Sequence, residues 1–172
     1  MPGSSREGTY FSLENEEAQP YPFIDIDWTQ DAVLTSLLRQ SWCSQYAEYI
    51  GANKAADLVE HLHNTGKVYE HDPAGTLVAG DGGRPVGVAA IRKLPEISLV
   101  TLYEVIPEYQ RRGVGHQLLE SLCTVSGPLV AHVSIHRPSL VAVYERHGFH
   151  RLGTEHVDHF GHNLPFQVVA RS

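Results

Sequence analysis

The segment Val105-Ile106-Pro107-Glu108-Tyr109-Gln110-Arg111-Arg112-Gly113-Val114-Gly115-His116 concentrates residue types that handle anions. A proline stops an apolar run, two arginines and two glycines form a short turn, and the helix-compatible Gln117-Leu118-Leu119 follows at once. At a helix start the first N–H groups have no intrahelical partner and the dipole end is positive. Gly113 and Gly115 lack the side chains that would keep an anion from those N–H groups, so a phosphate or pyrophosphate fits there. Arg111 and Arg112 add charge-assisted donors at the rim. The same glycines also suit a plain strand-to-helix turn, and alone they leave both readings open. Two nucleotide loops are excluded. A Walker loop needs Gly-Lys-Ser/Thr after the turn, where this chain has His116-Gln117. A dinucleotide fingerprint needs a third glycine, where this chain has Leu118.

Other reactive residues are less organised. His156, Asp158, His159 and His162 crowd one stretch and invite a metal reading. No second cluster completes a tetrahedral set, nor do His61 and His63, so no metal is expected; one of these histidines as a substrate contact or base fits better. Cys43 and Cys123 are far apart, with no C-x-x-C pattern, and read as packed thiols in a reducing cytoplasm. The net charge of −7 argues against nucleic acid, which needs a basic face, and suits a cationic partner such as an amine as well as simple solubility. Met1–Gln19 is polar and acidic, without the apolar core of a signal peptide, and no run approaches the ~18 apolar residues of a membrane span. A soluble protein is expected, with residues 1–19 a loose tail before a single domain, 20–172.

The elements that must position these residues follow from periodicity. Tyr21–Ile26 reads as a first strand. Ala32, Val33, Leu37 and Leu38 begin a helix that Thr29 or Asp31 can cap, and it continues through Trp42, Tyr46, Tyr49 and Ile50. A second helix runs from Ala52 to about Asn64. Thr76–Gly80 and Pro85–Arg92 form a hairpin about Asp81-Gly82-Gly83. Ile97–Ile106 is a long strand ended by Pro107. Gly115–Val125 is helical, Pro128–Ile135 a strand, Ser139–His147 a helix closed by Gly148, and His150–His156 and Phe166–Ala170 two last strands. The order β-α-α-β-β-β-α-β-α-β-β describes a mixed sheet with helices packed on it, an α/β (α+β) sandwich.

At this point the residues resemble a known family. Gln110-Arg111-Arg112-Gly113-Val114-Gly115, preceded by Val105-Ile106-Pro107, is similar to the acyl-CoA motif of the GNAT superfamily of N-acetyltransferases, Q/R-x-x-G-x-G/A after a strand ending in V-x-P. Val143-Tyr144-Glu145-Arg146-His147-Gly148-Phe149 resembles the family's second signature, a helix bearing tyrosine and ending in Gly-Phe. The resemblance covers about Tyr21 to Ala170. It implies a mixed, mostly antiparallel sheet of about six or seven strands with about four helices, splayed at a central parallel pair.

The resemblance also implies roles. Acetyl-CoA would be the co-substrate, its pyrophosphate held by the backbone of Gln110, Arg111, Arg112, Gly113, Val114 and Gly115, with His116 at the helix start. Val105 would offer its backbone to the pantetheine arm where its strand splays from Val130–Ile135, and an N–H near it would stabilise the oxyanion. An amine attacks the thioester directly, so neither cysteine need be catalytic. Tyr144 matches the tyrosine that protonates the departing thiolate; it could equally be a packed helix residue. Arg137 stands where the family helix often opens with asparagine. Where some members carry a glutamate base, this chain has Leu99, leaving Glu104 as the candidate base, provided a bulge turns it toward the notch. The family's acceptor cleft brings Trp42 and Tyr46, with Tyr49 and Glu48, into view, as cation–π contacts for an amine or simply as core. A small-molecule amine is the leading acceptor. A protein or peptide amine, and a non-catalytic acyl-CoA-binding domain, are the alternatives. Dimers are frequent in the family, but no interface can be read from this sequence.

Overall fold

The computed structural model describes residues 21–67 and 73–172. The expected loose tail, 1–19, lies outside the described residues. Helix α1 spans Ala32–Ile50 and α2 spans Ala52–Asn64. They are followed by β1 (Thr76–Asp81), β2 (Arg84–Lys93), β3 (Ser98–Val105), α3 (Val114–Val125), β4 (Leu129–Ser134), α4 (Pro138–Arg146), β5 (His150–His159) and β6 (His162–Arg171). Asp31 caps α1 by accepting from the Leu34 N–H at 2.8 Å, so of the two candidate caps the aspartate serves. Thr29 instead bonds to Asp27 in the short 3₁₀ turn Trp28–Gln30.

Among the described residues six strands form one sheet in the order β1-β2-β3-β4-β6-β5. Every pairing is antiparallel except β3–β4, which is parallel and holds only at Ser98–Leu129 and Leu99–Val130. Above Leu99 the two strands diverge. The mixed sheet, its helices and the central splay agree with the fold that the sequence implied.

Tyr21–Ile26 is a correction. It makes a single bridge, Phe23 to Ala79, with Ile24 N–H donating to the Val78 carbonyl and Gly80 N–H to the Pro22 carbonyl, each at 2.9 Å. Pro22 has no N–H to give a ladder, and the Asp27-capped turn then takes the chain away from the sheet edge.

Neighbouring residues of β3 identify the two layers. Glu104 reaches Ser41 of α1, while Tyr103 reaches Gly115 of α3 and lies beside Tyr144 of α4. Helix α1 therefore covers one face and α3 with α4 the other. Leu34 and Leu38 anchor α1, and Leu118, Leu119 and Leu122 anchor α3, all essentially fully buried. Each contributes about 1.5–3 kcal/mol of transfer free energy, which fixes the two helices against the splayed strands.

Candidate active site

The turn after β3 is built from its own side chains. Pro107–Tyr109 makes one 3₁₀ turn. Gln110 Nε2 then donates back to the Val105 carbonyl at 3.1 Å. Arg111 adopts a left-handed φ of 61°, and Gly113 follows at 88° as the N-cap of α3. Glycine enters that region without the Cβ penalty. Among the described residues no side chain caps α3. The N–H groups of Gly113, Val114, Gly115 and His116 therefore point out of the helix end into the space before it. Arg112 lies over the Tyr109 ring at 5.1 Å, and Tyr109 donates to Asp81 at 2.6 Å, tying the turn to the first hairpin.

Gly115 is needed for a second reason. A Cβ there would lie 2.9 Å from the Tyr103 hydroxyl, which donates to the Gly115 carbonyl at 2.7 Å. Tyr103 thus fixes the first turn of α3 from the strand that precedes it. Burial pushes its phenol up to about 12, so it remains a donor. Sequence reasoning missed Tyr103, although its two-residue spacing from Val105 placed both on one strand face.

The Ile106 N–H donates to Val86 of β2, so by alternation the N–H and carbonyl of Val105 face the splay. Its carbonyl takes Gln110, and its N–H has no partner among the described residues. The β2–β3 register shifts between Ala90–Leu102 and Ile91–Val100, which leaves Thr101 as an extra residue in β3. This is the bulge on which the orientation of Glu104 depended. Beyond it Glu104 points toward α1, where Ser41 Oγ donates to its Oε1 at 2.7 Å. Burial raises the carboxyl above its ordinary 4.5, while the Ser41 hydrogen bond and the positive charge of Arg137 partly offset that rise. Ser41 carried no signal in the sequence.

Tyr144 is held by the way its helix ends. Phe149 N–H donates to the Tyr144 carbonyl at 3.2 Å and Gly148 N–H to the Glu145 carbonyl at 3.1 Å, a Schellman closure with Gly148 at φ 85°. Phe149 packs edge-on to the Tyr144 ring at 5.0 Å, the apolar contact that accompanies this closure. The Gly-Phe signature thus has a physical content: the glycine turns the chain and the phenylalanine clamps the tyrosine. Tyr144 is 3% exposed, and its hydroxyl has no hydrogen-bond partner among the described residues. Burial, then the neighbouring Tyr103 and Glu104, raise its phenol well above the ordinary 10.0.

On the α1 face, Trp42 is half-buried between Tyr46 (6.2 Å) and Phe160 (5.9 Å) of the β5–β6 turn. Tyr46 is 2% exposed, and its hydroxyl lies 3.0 Å from His159 Nδ1. Burial lowers His159 below the ordinary 6.5, and its Nδ1 shares this hydrogen bond with the phenol. Its ring stacks on Phe166 at 4.3 Å. Tyr49 donates to the Pro165 carbonyl and accepts from Ile135 N–H at 3.1 Å, joining α1 to the ends of β4 and β6. A groove of about 360 Å³ runs between α1 and the Ile106–Glu108 backbone, with Leu37 and Gln40 on its wall. Among the described residues no group of three or more His, Cys, Asp or Glu side chains is placed to hold a metal, and no helix is long and apolar enough to cross a membrane.

No curated protein matches the chain. Among solved structures it is similar to the PaiA N-acetyltransferase of Thermoplasma acidophilum in complex with coenzyme A, at 13% identity over 88% of this chain and 98% of that one, with a TM-score of 0.67. It is also similar to a GCN5-related N-acetyltransferase of Rhodopseudomonas palustris, at 21% identity over 88% and 94% of the two chains, with a TM-score of 0.61. The apo form of YjaB from Escherichia coli aligns at 21% identity over 79% and 88%, with a TM-score of 0.56. At these identities the likeness speaks for the fold. The family model described as Acetyltransferase (GNAT) family matches residues 34–149, more than half of the chain, and takes in the turn, Glu104 and Tyr144. The protein belongs to the acetyltransferase (GNAT) family.

Proposed function

We propose that the chain is an acyl-CoA-dependent N-acetyltransferase whose acceptor is a primary amine on a small molecule. One observation carries this reading: β3 and β4 part above Leu99, with the unpaired Val105 N–H in the gap and the uncapped start of α3 at its end. A long cofactor with a phosphate at one end and a thioester at the other suits that shape.

In this reading the pyrophosphate binds the N–H groups from Gly113 to His116, with Arg111 and Arg112 at the rim. The pantetheine arm runs along Val105 as a surrogate strand. The amine nitrogen attacks the thioester carbonyl carbon, and the developing oxyanion takes the Val105 N–H. Glu104 accepts the proton that the attacking nitrogen loses, and burial makes it a stronger base than an ordinary glutamate. When the carbon–sulfur bond breaks, the thiolate takes the proton of Tyr144, whose hydroxyl has no competing partner. The acceptor enters from the α1 face, where Glu104 points and Trp42 lies.

The test is thiol release from acetyl-CoA across a panel of amines, together with the thermal shift produced by CoA. Gly113→Asp should abolish the shift, and Tyr144→Phe should keep it. Failure of both CoA and acetyl-CoA to raise Tm would overturn the reading. A shift without thiol release from any amine would leave an acyl-CoA-binding domain instead.

A further inference from the structure

Two histidines outside the reaction path join the two halves of the site. His116 is the third residue of α3, and His147 caps the C-terminus of α4, three residues after Tyr144. His116 Nδ1 lies 2.8 Å from His147 Nε2. At the outer ends of the pair, His116 Nε2 lies 2.8 Å from Glu120 Oε2, and His147 Nδ1 lies 2.9 Å from the Val143 carbonyl.

The arrangement fixes the proton count. A carboxylate and a carbonyl only accept, so each outer contact needs an N–H from its imidazole. The central contact needs one more. Two neutral imidazoles carry two ring protons, and three are required, so the full set of contacts is made only when the pair holds one additional proton. The dipole at the C-terminus of α4 favours the charge of that proton on His147, and the Glu120 carboxylate favours it on His116, so the pair shares it across the central contact.

We propose that His147 is a positioning residue: through His116 it locks the first turn of α3 to the end of the Tyr144 helix, in a strut that is complete only while the pair holds its extra proton. The proposal rests on reading that turn as the cradle of the cofactor phosphates. Other ionisable groups around the pair are Arg111 and Arg112 before α3, the Glu145–Arg151 ion pair between α4 and β5, and Arg171 of β6, whose side chain lies against Gly148. Among the described residues, Glu120 is the one ionisable side chain outside the pair that contacts either imidazole. Loss of the extra proton leaves two protons for three contacts, so one opens and the α3 turn loosens relative to Tyr144.

The test measures CoA affinity by calorimetry between about pH 5 and 8, where imidazoles titrate, for the wild type, His147→Gln and His147→Ala. Glutamine can still bond to His116 but has no proton to lose. The wild type should lose about fivefold or more in affinity toward the alkaline end relative to His147→Gln, and comparison of the two cancels the ionisation of the CoA phosphates themselves. His147→Ala should bind more weakly than His147→Gln throughout. Parallel pH profiles for the wild type and His147→Gln would overturn the strut. Absence of CoA binding in every variant would instead sink the cofactor reading. In that event the ring-nitrogen NMR spectrum near neutral pH still decides: three proton-bearing nitrogens across His116 and His147 support the strut, and two or four refute it.

Discussion

The Tyr103 hydroxyl donates to the Gly115 carbonyl at 2.7 Å, and the same hydroxyl occupies the place a Cβ on residue 115 would need. Gly115→Ala must therefore displace either the tyrosine ring, which packs beside Tyr144, or the first turn of α3. Overpacking of this kind costs about 1–3 kcal/mol. A lowered Tm and weakened CoA binding are expected together. Tyr103→Phe in the Gly115→Ala background should recover part of the Tm, because it removes the clashing oxygen, but not the full CoA affinity. If Gly115→Ala leaves both quantities unchanged, the contact is not limiting.

Glu104 and Ser41 predict a pH profile. As the proposed base, Glu104 must be ionised, so activity falls as pH drops through its raised value, and that acid limb should lie above the ordinary glutamate range. Ser41→Ala removes a hydrogen bond that favours the carboxylate and should move the limb further up. Stability runs the other way. A carboxyl that holds its proton more tightly when folded contributes stability in full below its ordinary 4.5, and that contribution is lost as pH rises through the raised value. Glu104→Gln should therefore flatten the Tm-against-pH curve across that interval while lowering kcat by about a hundredfold. An unchanged kcat in Glu104→Gln would remove the base from the mechanism.

What the sequence made legible and what it hid divide along chain distance. The turn Gln110–Gly115 is contiguous and its residue types pointed to an anion, while the contiguous Tyr144–Phe149 closure was legible through its likeness to a family signature; Gly113 and Gly148 answer local backbone needs, and Gly115 the approach of Tyr103. Ser41 and Glu104 lie 63 positions apart and meet only because α1 crosses β3. Thr101 is an ordinary strand residue by type, so the bulge that turns Glu104 toward α1 left no mark. Tyr21–Ile26 has the composition of a strand, yet Pro22 and the Asp27 turn reduce it to one bridge. His147 gained meaning only when its partner on another helix was in place.

Tyr144→Phe separates chemistry from packing. The ring sits between Tyr103 and Phe149, so phenylalanine fills the same space and Tm should change little. The hydroxyl makes no hydrogen bond among the described residues, so no buried partner is left stranded. CoA affinity should hold, and kcat should fall by about a hundredfold if the phenol protonates the thiolate. Because burial raises this phenol above 10.0, ionisation of Tyr144 should produce no alkaline fall in wild-type kcat below that pH. Phe149→Ala should damage both Tm and kcat by unclamping the ring. Equal kcat for the wild type and Tyr144→Phe would assign the proton to water instead.

Trp42 and Tyr46 are neighbours on α1 with different expected effects. Tyr46 is buried, and its phenol is bonded to a His159 imidazole that burial keeps neutral. Tyr46→Phe strands that nitrogen, at a cost of about 1–3 kcal/mol, so Tm should drop. The depressed affinity of His159 for protons adds a pH dependence: its contribution to stability is complete above the ordinary imidazole value of 6.5 and is lost as pH falls through the lowered one. Trp42 is only half-buried, faces Phe160 across the hairpin turn, and adjoins Ser41, which holds Glu104. If the acceptor enters there, Trp42→Ala should raise KM for the amine by about tenfold, the loss of one aromatic contact with a cation, and leave CoA affinity unchanged. Tyr46→Phe should show the opposite balance, a lower Tm with KM little altered. Steady-state kinetics on the best amine, set beside melting curves, distinguishes the two. A Trp42→Ala variant that loses Tm as Tyr46→Phe does while keeping its KM would mean that this aromatic face is core and that the acceptor binds elsewhere.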